Sequence, residues 1–253
     1  MLDIQLIQKS IGNNIKVVYK ETTLSTNLDV KEYISKQKEQ VVYVADEQTQ
    51  GRGRIGHSFS SPKGGIYMSL FVDKKNIPDD CISLITPIAA VAVSKAIYKT
   101  LNKQVDIKWI NDLIYNNKKV CGILAEAVIL DQKMAGVIIG IGIDFKIDPS
   151  SVDKDLQGII GTLLEENEES GSKEALIKDV INNIYYLISK LPNIDFLDYY
   201  REHCITLNKD ISYYINNVQH FGKAIRVLDN GMLEVQEDMG IRVLDSGEVF
   251  NIR

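Results

Sequence analysis

Gln48 to His57 read QTQGRGRIGH, the stretch of this 253-residue chain whose residue types are best suited to chemistry. Gly51, Gly53 and Gly56 alternate with Arg52 and Arg54 directly after an apolar run, Val41 to Ala45, that predicts a buried strand. Glycine lets a backbone turn sharply and approach a ligand closely, because it carries no Cβ. Successive N–H groups in such a turn form a concavity for an anion. Arginine adds a planar, permanently charged fork matched to phosphate or carboxylate. The loop therefore predicts an anion holder. By itself the pattern goes no further: a solvated loop or an arginine patch on nucleic acid has the same composition. It is not a P-loop, since the GxxxxGK[ST] spacing is missing.

Three further clusters can converge on it: Ser25-Thr26-Asn27, Lys108-Trp109-Ile110-Asn111-Asp112, and Lys118-Lys119-Val120-Cys121-Gly122. Each lies at the end of a strand-like run or in the adjacent turn, where ligand groups gather on a rigid sheet. Arg52, Arg54, Lys108 and Lys119 set against Asp112 make a pocket for a polyanion, and nucleotide phosphate is the natural candidate. Ser25 or Thr26 also suits a purely local role as the N-cap of a helix over Leu28 to Lys36. Trp109 reads as core packing. Gly140-Ile141-Gly142 lacks the third glycine and following helix of a dinucleotide fingerprint, so close strand packing is expected there.

Stepping outward, strands are predicted at Ile15–Tyr19, Ile66–Val72, Val105–Ile110 and Met134–Phe145. Leu113–Tyr115 and Lys118–Leu130 read as a hairpin across Asn116-Asn117. Helical periodicity covers Ile82–Leu101, with Pro87 near its start, and Lys173–Lys190. Residues 146–173 break the pattern with Asp148-Pro149 and the acidic run Glu165 to Glu169. From Ile205 onward, short β-prone runs are punctuated by Asn216-Asn217, Asp229-Asn230-Gly231, Asp238-Met239-Gly240 and Asp245-Ser246-Gly247, which predicts a small all-β barrel.

Hydrophobic content of 45% and charged content of 25% are ordinary for a soluble globular protein. A net charge of −5 and a pI near 5.3 oppose general affinity for nucleic acid or anionic membrane. No run reaches the roughly 20 consecutive apolar residues of a membrane helix, and MLDIQLIQKS is not a signal peptide. Cys81, Cys121 and Cys204 form no CxxC pair, and His57, His203 and His220 are scattered, so a reducing cytoplasm with buried thiols is expected. A helix-turn-helix module before Ile15 is not expected, for want of room.

STN, GRGRIG, KWIND, KKVCGILAE and the terminal GEVFNIR, in that order, resemble a biotin–protein ligase from about Ile15 to Arg253. The likeness is to members without an N-terminal DNA-binding module. It implies an α+β fold similar to the catalytic domains of class II aminoacyl-tRNA synthetases over residues 1–204, a mixed sheet with helices. An SH3-like β-barrel is implied for 205–253. It also implies two half-reactions: biotin and Mg·ATP give biotinyl-5′-AMP and pyrophosphate, and a lysine of a biotin carboxyl carrier protein then takes the biotin. By the same resemblance Ser25, Thr26, Asn27 and Gln48 hold biotin's polar end, and Arg52, Gly53 and Arg54 close over biotin and the adenylate. Lys119 contacts both, making Arg52 and Lys119 the catalytic pair. Gly51, Lys108, Asn111 and Asp112 fall on the nucleotide side, with Asp112 toward Mg²⁺. Assembly as a homodimer through an exposed edge strand is implied too, and Met134–Ile143 is the expected edge.

Three positions depart from the family pattern: Ile55 and His57 where basic residues are common, and Asp144 in a GIGID run where Asn is usual. Alternative readings are a lipoate or octanoate ligase of related fold, a non-catalytic biotin or adenylate sensor, and a nucleic-acid binder, the last opposed by the pI and the lack of interleaved aromatics.

Overall fold

A helix that the sequence pattern does not predict opens the chain: α1 (Ile4–Ser10), capped by the Asp3 carboxylate accepting from the Leu6 N–H and anchored by the buried Ile7. In this computed structural model, residues 2–11, 15–37, 39–168, 171–216, 218–245, 247 and 249–251 are described. Glu169, Asn217, Ser246 and the Glu248, Ile252 and Arg253 positions of GEVFNIR fall outside them.

After α1 come β1 (Lys16–Thr23), α2 (Thr26–Lys36), β2 (Val41–Gln48) and β3 (Ile66–Asp73). A 3₁₀ turn (Asp79–Leu84) leads into α3 (Ile85–Leu101), so Pro87 sits in the first turn, where its missing N–H costs least. β4 (Asp106–Lys108) is shorter than predicted because the chain turns at Trp109 and Ile110. β5 (Asp112–Tyr115) and β6 (Lys118–Leu130) form the hairpin, with Asn116 and Asn117 at φ of 50° and 61°, the left-handed region asparagine tolerates. β7 (Lys133–Ile143) and the helices α4 (Lys173–Ser189) and α5 (Phe196–Glu202) complete the first unit.

These strands make a seven-stranded sheet of order β1-β2-β3-β7-β6-β5-β4, parallel only between β1 and β2. The α+β class expected from the sequence is present. Strand alternation assigns the two faces. Met68 and Leu70 of β3 and Ile139, Ile141 and Ile143 of β7 join the core beneath α3 and α4. Phe71 and Ile138 pack with Val30 and Ile34 of α2 on the other face. That second face also receives Ser69, Gly122, Gly140 and Gly142, and there the cleft forms.

Met134–Ile143 is not an edge. β7 is paired on both sides, with β3 and β6, and its last eight residues are buried. A continuous apolar run of this kind marks a strand covered on both faces. β1 and β4 are the edges of this sheet.

β8 (Asp210–Ile215), β9 (Val218–Val227), β10 (Leu233–Glu237), β11 (Gly240–Leu244) and β12 (Val249–Asn251) form a second, antiparallel sheet of order β11-β10-β9-β8-β12. Trp109 fastens the two sheets together. Its backbone N–H donates to Thr206 Oγ1 and its Nε1–H to the Gly231 carbonyl, each at 3.0 Å, and the ring is buried as predicted. The helical stretch Asp79–Leu101 is long and apolar enough to cross a membrane, yet 72% of that window is buried inside this fold.

Candidate active site

Five pieces of chain meet over a cleft of about 200 Å³: the N-terminus of α2, the 51–58 loop, the β4–β5 turn, and strands β6 and β7, with Gly247 and the β12 residues Val249 and Phe250 closing one end. Ser25, Thr26, Asn27 and Gln48 line one side, and Arg52, Gly53 and Arg54 the loop side. Lys108, Asn111, Asp112 and Lys119 line the remainder. The four sequence clusters therefore do converge. Gly51 does not line the cleft: a Cβ there would lie 2.2 Å from the Phe59 carbonyl oxygen, so this glycine lets the loop close against its own return limb.

Ser25 occupies the N-cap position of α2 in extended conformation, but its side chain makes no capping bond. The cap reading is positional only, and the hydroxyl is not committed to its own helix. Thr26 and Asn27 are buried at the start of α2. Gln48 Oε1 accepts from the Thr26 N–H at 2.8 Å, while its Nε2 donates to Ser61 Oγ at 2.9 Å. Thr26 Oγ1 lies 2.6 Å from Ser69 Oγ, which donates to Asn27 Oδ1 at 2.5 Å. Buried hydroxyls and amides are thus satisfied by one another, as desolvated polar groups must be.

Glycine makes room for this arrangement. A Cβ on Gly140 would sit 2.1 Å from Asn27 Oδ1, and one on Gly142 would sit 2.3 Å from the Phe59 ring. Strand packing, the role expected from the sequence, is in fact close approach of cleft side chains to the strand. Gly140→Ala will destabilise the fold by about 1–3 kcal/mol, the usual cost of overpacking. Urea denaturation against wild type is the measurement, and unchanged stability would show that Asn27 relaxes freely.

The loop is a closed turn rather than an open nest. The Gly53 N–H donates to the His57 carbonyl at 2.7 Å and the His57 N–H to the Arg54 carbonyl at 3.0 Å. These two donors are spent within the loop. Arg54 Nη1 donates to Asn111 Oδ1 and to the Gly247 carbonyl, both at 3.2 Å, and thereby joins loop, β4–β5 turn and second sheet. Arg52 pairs with Glu126 at 3.4 Å. Lys119 Nζ lies 2.7 Å from Asp112 Oδ1 and over the Phe59 ring, 5.7 Å from its centroid. Its backbone is pinned by the 146–173 segment, through Lys119 N–H to the Ile159 carbonyl and Gly161 N–H to the Lys119 carbonyl. His57 is exposed at the rim.

Asp144 is buried, and both carboxylate oxygens lack a hydrogen-bond partner among the described residues. Burial holds its pKa well above the usual carboxylate range, against the pull of Lys119. An unfolded carboxyl ionises near 3.8, whereas this one keeps its proton to higher pH. The stability it confers is therefore complete below that value and lost as pH rises toward the folded pKa. Asp144→Asn removes the titration, so its Tm will exceed that of wild type at pH 8, and the gap will close by pH 4. An equal gap at both pH values would contradict this.

Sequence reasoning missed Phe59, Gly247, Val249 and Phe250 in the cleft lining, and Ser61, Ser69 and Glu126 behind it, which hydrogen-bond to the lining residues. Ser69 and Glu126 are single polar residues within apolar strand runs, which give no sign of a partner; α2 and the Arg loop lying over that face bring them in. Among the described residues no group of three or more His, Cys, Asp or Glu side chains could hold a metal ion.

A profile of the family described as Biotin/lipoate A/B protein ligase matches residues 17–144. The Bifunctional ligase/repressor BirA of Bacillus subtilis (strain 168) is 29% identical over 240 residues, spanning 92% of this chain and 73% of that protein. The Biotin–[acetyl-CoA-carboxylase] ligase of Mycobacterium tuberculosis is 24% identical over 220 residues, 84% of this chain and 79% of its own. The solved biotin protein ligase from Aquifex aeolicus in complex with biotin and ATP has a TM-score of 0.76 at 23% identity, over 94% of this chain and 99% of that one, and shares the fold.

Proposed function

Because the chain belongs to the Biotin/lipoate A/B protein ligase family, we propose that this cleft joins biotin to ATP as biotinyl-5′-AMP and passes the biotin to a lysine of a biotin carboxyl carrier protein. The observation that carries this reading is the cleft's division into a neutral polar end and a cationic end. Thr26, Asn27 and Gln48 suit an uncharged ureido group, whereas Arg54, Lys108 and Lys119 suit carboxylate and phosphate.

In the first step a carboxylate oxygen of biotin attacks the α-phosphorus, a P–O bond forms, and pyrophosphate leaves. Lys119 and Arg52 draw the two anions together and offset the charge that builds on the α-phosphate; catalysis here is positioning and electrostatics. In the second step the neutral lysine amine of the carrier attacks the acyl carbon and AMP departs. The Arg loop shields the mixed anhydride from water until then. Mg²⁺ would enter on the triphosphate, neutralising phosphate charge. Asp112, with Asn111 beside it, is the one carboxylate lining the cleft among the described residues, which fits an ion held mainly by phosphate oxygens and water.

Residues 1–204 are the proposed catalytic domain and 205–253 the proposed SH3-like barrel. The three unpaired, buried thiols support a cytoplasmic setting. The deciding experiment is intact mass of a biotin carboxyl carrier domain incubated with the protein, biotin and Mg·ATP. A gain of one biotinyl group is expected, and an unmodified carrier would overturn the reading. Lipoate in place of biotin tests the related chemistry in the same vessel.

A further inference from the structure

Glu126 lies on β6, outside the cleft lining and about two-thirds buried, with 32% of its side chain exposed. Its carboxylate reaches two residues of the site at once. Oε2 accepts from Asn27 Nδ2 at 2.6 Å, and Oε1 lies 3.4 Å from Arg52 Nη1. We propose that Glu126 is a positioning residue for biotin, one whose carboxylate fixes the direction of the hydrogen-bond chain through Asn27, Ser69 and Thr26. This rests on the biotin-ligase reading and deepens it.

The argument is one of counting protons. A carboxylate only accepts, so Asn27 must turn its amide nitrogen to Glu126 and its oxygen to Ser69. Ser69 spends its single proton on Asn27 Oδ1, at 2.5 Å. The 2.6 Å contact between Ser69 and Thr26 can then be made only by the Thr26 proton. Thr26 Oγ1, 3.1 Å from Gln48 Oε1, has no proton left for it, and that oxygen is held by the Thr26 N–H instead. The outcome at the cleft is defined. Thr26 offers lone pairs and Gln48 Nε2 offers its second proton, which complements a group carrying N–H and C=O side by side. Gly140 lets Asn27 lie flat against the strand within this chain. Arg52, tied to the same carboxylate, is held at the same end as the ordered amide.

Glutamine at 126 is near-isosteric but presents a donor and an acceptor, so the chain can run in either direction. Glu126→Gln will weaken biotin binding about tenfold in titration calorimetry, and Ser69→Ala will do the same by cutting the chain. The KM for ATP will stay within twofold of wild type in both. Because the two changes break one chain, the double variant will also lose only about tenfold. Thermal melting confirms that each variant is folded. Wild-type affinity in Glu126→Gln, a hundredfold additive loss in the double variant, or a parallel rise in the KM for ATP would each overturn the inference while leaving the ligase reading intact. A wild-type protein that binds no biotin would instead overturn the ligase reading itself, and this inference with it.

Discussion

Lys119→Ala will slow biotin-dependent exchange between ATP and pyrophosphate by about 10- to 100-fold. A hydrogen bond to a charged partner contributes about 1.5–3 kcal/mol, and each 1.4 kcal/mol is about one decade of rate. The ammonium stands 2.7 Å from Asp112 Oδ1 on a backbone clamped by the segment behind it. Its removal also leaves Asp112 facing the incoming phosphates with its own charge uncompensated. Thermal melting of the variant separates this loss from a loss of fold, because the Asp112 oxygen that Lys119 faces is buried. Exchange within threefold of wild type would remove Lys119 from the chemistry.

Trp109→Ala will destabilise the fold by about 3–5 kcal/mol, the usual loss for a buried aromatic. The indole is 2% exposed and spans both sheets, so the cavity opens where they meet. At about 2–4 °C per kcal/mol for a chain of this size, Tm falls by about 10 °C. Trp109→Phe separates the two contributions, keeping most of the packing and stranding the Gly231 carbonyl, at about 1–3 kcal/mol. Urea denaturation measures both. Alanine at 109 with a loss under 1 kcal/mol would show that the sheets are held together elsewhere.

Local chemistry was legible in the sequence wherever it rests on backbone preference. The Asn116-Asn117 hairpin, the glycine–arginine turn after a buried strand, and the amphipathic α4 each follow from residues within a few positions of one another. Short elements stabilised from afar were not. α1 has seven residues and is held by Ile7 packing into the core, which no local pattern announces. The edge reading of Met134–Ile143 failed because family assembly was weighed above the strand's own unbroken apolar run. Glu126 and Ser69 were invisible for a different reason: a single polar residue inside an apolar strand gives no sign of which distant group will cover it.

Arg54 has a consequence beyond its contact with Asn111. The same guanidinium donates to the Gly247 carbonyl, on the other side of the boundary between the two sheets. Lifting the turn would release this link between the halves of the molecule and leave the Trp109 bonds to Thr206 and Gly231 to hold them.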